Sequence, residues 1–251
     1  MFLAIDVGNT VTKAALFDKY EISETIRFPG NEIPDTLLTN KITECAISGV
    51  VPEVSNSLIE KIKSEVGITP FLISRASKLN IELDYDTPET LGIDRICGAC
   101  GAVALFDKVY SGTSSRPKVI VTIDFGTATT LNVIKSPNIF AGGMIAPGLN
   151  TMFNSLTEKT AALPTVQLED YDDIIGKSTV KSIASGVLNS TLGMIDKIIT
   201  NLESENRDCN IYTFITGGNA EAIRRFISMN YYHAPDLVMR GIKTIYELNH
   251  A

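Results

Sequence analysis

The chain has too little positive charge for a nucleic-acid binder. Lys and Arg number 22 against 29 Asp and Glu, a formal charge of −7, whereas a phosphate backbone calls for a basic footprint. That shortage does not exclude a nucleotide, because a few backbone N–H groups, one lysine and a metal ion can hold an anion locally. Long apolar runs are missing too. The opening Met1-Phe2-Leu3-Ala4-Ile5 stops at Asp6 with no basic residue before it, too short for a signal peptide. No later stretch reaches the about 18 apolar residues of a membrane span. The expectation is a cytoplasmic protein with no nucleic-acid or membrane partner. Histidine is limited to His233 and His250, and the four cysteines are Cys45, Cys97, Cys100 and Cys209. Cys97-Gly-Ala-Cys100 has the spacing of a redox pair or half a zinc site, but no second pair completes it. Packed, reduced thiols on a helix are the preferred reading.

What is present suits a globular fold: 44% apolar and 20% charged residues over 251 positions, enough to bury a core in one large domain or two modest ones. FLAID, TKAALF and EISETIRF read as three short strands separated by turn residues. CAISGVV (45–51) reads as a buried strand. Pro52 then opens a helix with Val54, Leu58, Ile59, Ile62 and Val66 on one face and Gly67 at its end. FLIS (71–74) is a further strand. The Ser/Gly/Pro-rich Ser111–Pro117 marks a loop close to a domain boundary, giving halves 1–115 and 116–251. VIVTID (119–124) restarts the pattern, and a long helix follows with Ile183, Val187, Thr191, Met194, Ile195, Ile198 and Leu202 at helical spacing.

The pattern that restarts is a repeat. Ile5-Asp6-Val7-Gly8-Asn9-Thr10 and Ile123-Asp124-Phe125-Gly126-Thr127-Ala128-Thr129 are one motif used twice, 124 − 6 = 118 residues apart. Each is an apolar strand ending in Asp-x-Gly before small polar residues, which points to a duplicated α/β architecture. Glycine allows a tight turn whose N–H groups approach an anion closely. A carboxylate beside phosphates needs a cation between them, so Asp6 implies Mg²⁺ held through water. Lys13 can reach the terminal phosphate as a point charge. By the same reasoning Thr127 contacts phosphate and Asp124 holds a cation; the alternative is a hydrogen-bonded acid at a strand end. Gly142-Gly143-Met144-Ile145-Ala146-Pro147-Gly148 reads as a loop that turns tightly or passes near a ligand. Thr216-Gly217-Gly218-Asn219 before AEAIRRFI places backbone N–H groups at a helix start, suited to the nucleotide. In the Tyr85–Arg95 segment, Gly92 frees the backbone while Asp94 and Arg95 pair an acceptor with a permanent cation. Phosphoryl transfer to an alcohol needs such a base, and a guanidinium binds carboxylate or phosphoryl oxygens. A structural Asp–Arg ion pair is the other reading.

DVGNTVTK (6–13), the Y-x-x-P-x-x-L-G-x-D-R run (85–95), DFGTATT (124–130) and GGMIAPGL (142–149) together resemble type III pantothenate kinases, in the same order. TAALP (160–164), STVKSIASG (178–186), TGG (216–218) and PDLVMRGIKTIYELN (235–249) are similar to that family as well. The resemblance implies duplicated ribonuclease H-like domains of the actin, Hsp70 and sugar kinase type, with mixed sheets flanked by helices. It implies ATP-dependent phosphorylation of pantothenate to 4′-phosphopantothenate, the first step towards coenzyme A. Carried over by position, Asp6, Val7, Gly8, Asn9, Thr10, Val11, Thr12, Lys13 and Thr127 bind ATP, with Asp6 near Mg²⁺. Tyr85, Gly92, Ile93, Asp94 and Arg95 line the pantothenate site, with Asp94 as catalytic base. Asp124 matches the holder of a monovalent cation, K⁺ or NH₄⁺. Thr179 matches a substrate contact given by the neighbouring subunit, which implies a homodimer. Two departures stand out: residues 107–118 are longer than the usual connection, and Asn150-Thr151-Met152 is not the commonest sequence after PGL. The alternative function is a non-catalytic, kinase-like regulator of the Bvg accessory factor type, against which the intact Asp6, Asp94 and Asp124 argue. Another small-molecule kinase of the superfamily would be expected to lack the Tyr85–Arg95 run.

Overall fold

The computed structural model describes residues 1–110, 112 and 116–250, and the expected boundary loop Ser111–Pro117 lies mostly outside them. Two compact units emerge: Met1–Thr113 with Asn138–Phe140 and Asp236–Ala251, and Ser114–Pro137 with Ala141–Pro235. No helix of the described residues is long and apolar enough to cross a membrane.

The first unit opens with β1 (Phe2–Val7), β2 (Thr12–Asp18) and β3 (Glu21–Phe28), then β4 (Glu44–Gly49), helix α1 (Pro52–Val66) and the short β5 (Phe71–Leu72). The sheet order is β3-β2-β1-β4-β5. β2 runs antiparallel to β1 and β3, while β4 runs parallel to β1 and β5 parallel to β4. β1 is the central strand and is apolar on both faces, as burial on both sides requires. Its odd residues Leu3, Ile5 and Val7 join Leu58 and Ile62 of α1 in one core cluster. Each such side chain, fully buried, contributes about 1.5–3 kcal/mol. α1 starts on Pro52, where a missing N–H costs nothing. It stops at Gly67 in the left-handed region (φ 79°), whose N–H donates to Lys63 O at 3.2 Å; a glycine takes that conformation without strain. Beyond these lie β6 (Glu82–Leu83), paired in parallel with Ile139–Phe140, and α2 (Ile93–Tyr110).

The second unit holds β7 (Lys118–Phe125), β8 (Ala128–Lys135), β9 (Ile139–Pro147), α3 (Leu149–Lys159), α4 (Thr179–Glu205), β10 (Asn210–Thr216), α5 (Ala220–Ile223) and β11 (Tyr232–His233). Its strands are ordered β9-β8-β7-β10-β11. β8 is antiparallel to β7, β10 parallel to β7, and β11 parallel to β10. The same order, with the same central strand and the same parallel partner, therefore occurs twice, so the duplication inferred from the two Asp-x-Gly motifs, and the mixed sheets implied by the family resemblance, hold at the level of topology. The segment Gly142–Pro147, expected as a loop, is the end of strand β9. α5 is one helical turn, continued only by a 3₁₀ turn over Arg224–Phe226, so AEAIRRFI does not form the expected longer helix.

The last helix, α6 (Leu237–His250), would fall in the second half on a cut at 115/116. It packs instead in the first unit, against α2, because glycines let the two backbones touch. A Cβ on Gly241 would lie 1.8 Å from Cys97 O, and one on Gly101 would lie 2.2 Å from Leu237 O. α6 also covers the even-numbered face of β1, where Phe2 meets Tyr246 with ring centroids 4.8 Å apart.

Candidate active site

Register brings a polar row across the first sheet. Asp6 on β1 faces Lys13 on β2 and Ser48 on β4, and Lys13 faces Arg27 on β3. Residues opposed in register project to the same side, here the side covered by α2 and α6. Ser48 Oγ donates to Asp6 Oδ1 at 3.2 Å. Lys13 Nζ donates to Asp236 Oδ1 at 3.1 Å. The turn after β1 is closed by Gly8 N–H to Val11 O at 3.3 Å. A Cβ on Gly8 would meet that oxygen at 2.9 Å, so the turn is as tight as its glycine implies. Asn9, Thr10 and Val11 are exposed at its tip. Val7 and Thr12 lie on the opposite face and are buried, and the Thr12 hydroxyl donates to Gly30 O at 2.6 Å. Those two bring no side chain to the row.

The second copy repeats this geometry with different neighbours. Asp124 on β7 faces Thr130 on β8 and Thr216 on β10. Gly126 N–H closes the turn on Ala128 O at 3.1 Å, and the Thr127 side chain is exposed. Where the first copy has a lysine opposite its aspartate, the second has a threonine, so only the first turn carries its own cation. Gly217, at φ 100°, presses on Asp124: a Cβ there would lie 2.4 Å from Asp124 Oδ1 and from Phe125 N. The N–H groups after it are already engaged, Asn219 with Phe125 O at 3.0 Å and Ala220 with Gly217 O at 3.3 Å. Two of the donors expected at this helix start are thus engaged within the protein, the Asn219 N–H in bracing the second turn and the Ala220 N–H in closing the TGG loop. Asn150 and Thr151 brace it too. Thr151 Oγ donates to Thr127 O at 2.7 Å, and Asn150 Nδ2 reaches Asn219 Oδ1 at 3.5 Å.

The Gly92–Arg95 segment forms the start of α2. Successive helical residues point about 100° apart, so Asp94 is exposed while Arg95 turns inward to 7% exposure. Asp94 Oδ1 accepts from Arg95 N–H at 2.9 Å and folds back over Gly92, where a Cβ would meet it at 2.4 Å. A carboxylate in a first helical turn is favoured by the helix dipole. The Arg95 guanidinium lies 5.8 Å from the Tyr85 ring centroid and 5.5 Å from that of Phe140, and the two rings meet edge to face at 5.9 Å. Ile93 is buried. Burial first, then the charges of Cys100, Asp6 and Asp94, push the Cys97 thiol well up, against a smaller opposing hydrogen bond with Ser48. Asp6 and Asp94 therefore share the surroundings of one thiol, near the first turn of α2. Thr179 belongs to the second unit and is exposed in the first turn of α4.

Sequence reasoning missed four residues that hold this constellation. Ser48 holds Asp6, Asp236 holds Lys13, Phe140 backs Arg95, and Arg75 clasps the Leu91 carbonyl with Nε and Nη2 at 3.2 and 2.7 Å just before α2 begins. Asp236 lies in the family-like run 235–249 without being singled out there; Ser48, Arg75 and Phe140 lie in none of the motifs, and only for Ser48, at the end of an apolar strand, does position hint at a role. Among the described residues, no group of three or more His, Cys, Asp or Glu could hold a metal ion. A single carboxylate suits a hard cation whose remaining positions are filled by water or phosphate. The four cysteines are free thiols, with Cys45, Cys97 and Cys100 buried, in keeping with packed thiols on α2.

The type III pantothenate kinase family model matches residues 2–201. The type III pantothenate kinase of Legionella pneumophila (strain Corby) is 33% identical over 268 residues, covering 100% of both chains. That of Sulfurihydrogenibium sp. (strain YO3AOP1) is 30% identical over 257 residues, covering 96% of this chain and 98% of the relative. Among solved structures, an archaeal actin homologue superposes with a TM-score of 0.49 at 12% identity, covering 98% of this chain and 99% of that one.

Proposed function

The chain belongs to the type III pantothenate kinases, and from that premise we propose how its residues serve the reaction. The enzyme is a kinase that uses ATP to phosphorylate pantothenate, in coenzyme A biosynthesis. In our reading the transfer is direct and in line. The pantothenate hydroxyl oxygen bonds to the γ-phosphorus as the bond to the ADP oxygen breaks, and Asp94 accepts the hydroxyl proton. The exposed position of Asp94 on the first turn of α2, in the neighbourhood of Asp6, carries this reading. Asp6 and the turn through Lys13 hold the ATP phosphates, and Asp6 would hold Mg²⁺ through water. The metal supplies neutralisation of phosphate charge. Thr127 is a second ATP contact on the other turn. Gly92, Ile93 and Tyr85 line the substrate site, and Arg95, fixed against Tyr85 and Phe140, orients pantothenate. Asp124 would hold K⁺ or NH₄⁺. The place of Asp124 supports this, since it repeats that of Asp6 at the end of a central strand, before a glycine turn.

We also read the enzyme as a homodimer in which Thr179 reaches the neighbouring subunit's substrate. Support comes from the exposure of Thr179 and of the apolar pair just before it, Ile174 at 63% and Ile175 at 72%. The deciding experiment is Asp94→Asn in a coupled ADP-release assay. A positioned base is worth about 10²–10⁴-fold, so kcat should fall by that order while ATP binding and thermal stability persist. Near-normal kcat would remove Asp94 from the role.

A further inference from the structure

We propose that Asp236 is a positioning residue for phosphoryl transfer, holding the Lys13 ammonium over the first phosphate turn. The inference rests on the reading of Lys13 as a phosphate ligand. Lysine is a compact charge on a flexible four-carbon stem, poorly directed unless something fixes its head. Here the head is held at 3.1 Å by a carboxylate, and the two side chains are only 21% and 23% exposed. Such a pair is screened less by salt than one in open solvent.

The carboxylate itself is well anchored. Asp236 immediately precedes α6, and its carbonyl accepts the helical bond from Arg240 N–H at 3.0 Å. α6 is locked to α2 by the Gly241–Cys97 backbone contact. The base Asp94 rides on α2 and the holder of Lys13 rides on α6, so one clamped helix pair sets the position of both groups. Because Asp236 partly neutralises Lys13, it contributes geometry more than attraction for ATP. Its removal should therefore depress kcat rather than raise the KM for ATP.

The test is a double-mutant cycle on the full-length enzyme, with ATP and pantothenate varied separately. Asparagine serves a helix N-terminus as well as aspartate, so Asp236→Asn leaves that role intact and removes the charge. Misplacing a reacting group can cost up to about 10²-fold, and we expect Asp236→Asn to lower kcat about tenfold with both KM values little changed. Lys13→Ala should lower kcat further, and the double variant should be no worse than Lys13→Ala alone, as coupled residues require. Additive losses would assign Asp236 a structural role independent of Lys13, and an unchanged kcat in Asp236→Asn would also overturn the proposal. If Lys13→Ala alone turns over normally, the phosphate reading of Lys13 fails and this inference falls with it. A loss in Lys13→Ala without coupling leaves that reading standing and refutes only the role of Asp236.

Discussion

Gly241→Ala sets two effects of opposite sign against each other. In an isolated helix the change is favourable by about 1 kcal/mol, because alanine loses less backbone freedom than glycine. In this fold the new Cβ would lie 1.8 Å from Cys97 O, 2.6 Å from its carbonyl carbon and 3.0 Å from Gly101 N. A carbon normally approaches a carbonyl oxygen to about 3.3 Å, so α6 and α2 would have to part by more than an ångström. The obstacle is helix backbone, which cannot swing aside as a side chain can. Overpacking of this kind costs about 1–3 kcal/mol and occasionally more. A backbone contact of 1.8 Å belongs to the upper part of that range, about 2–3 kcal/mol, so after the propensity gain the net destabilisation is about 1–2 kcal/mol, or a Tm lower by about 2–8 °C for a chain of this size. Gly193→Ala on α4 is the control, since a Cβ there meets nothing within 4 Å, and it should hold or raise Tm. Differential scanning calorimetry on the two variants decides the matter. A Gly241→Ala protein melting at or above the parent would refute the backbone contact between α2 and α6. A companion measurement of kcat should show a loss as well, because Asp94 lies one turn from Cys97 on α2.

Three further outcomes follow from the site. Arg95→Lys replaces a planar cation lying against two rings with a point charge; the KM for pantothenate should rise about tenfold, on the scale of a desolvated cation–π contact, with the KM for ATP unchanged. An equal rise in both would argue against a substrate-orienting role. Asp124→Ala should abolish stimulation by K⁺, and an unaltered K⁺ response would exclude that carboxylate as the monovalent ligand. Near pH 8 a disulfide-exchange reagent should label Cys209 first, whereas Cys45, Cys97 and Cys100 should react only on unfolding. Burial pushes the Cys100 thiol up to about 12 and those of Cys45 and Cys97 well above the ordinary range, so little thiolate is available. Rapid modification of two or more thiols in the native protein would contradict that burial.

The parts of the molecule legible in sequence are those written by local chemistry. β1 and β7 announce themselves by apolar runs that end in Asp-x-Gly, and α1 by Pro52 at its start and Gly67 at its end. The repeat of Asp6 in Asp124 anticipated the duplicated topology. β9 was hidden because Gly142, Gly143 and Pro147 look like turn residues, although glycine weakens a strand without forbidding one. The shortness of α5 was hidden because propensity says nothing of where the TGG loop spends its N–H groups. The residues that steady the site are harder still. Asp236 lies 223 residues from Lys13, and Ser48 lies 42 from Asp6. Such pairs are chosen by the fold, through sheet register and helix packing, and leave no spacing to read.

The return of α6 to the first unit has a consequence for synthesis. Phe2 and the aromatic ring that covers it, Tyr246, stand 246 − 2 = 244 residues apart in the chain. Until residues 237–250 have been made, the side of the sheet bearing Asp6 lacks one of its two covering helices, and α2 lacks the helix against which Gly101 and Cys97 pack. Domains generally complete as their residues emerge, amino-terminal first; here the first unit waits for the residues after Pro235, made once the second unit is complete. A nonsense mutation at Asp236 would therefore release a chain with one side of its first sheet short of a helix and no holder for Lys13, fit for the chaperones and proteases rather than for catalysis.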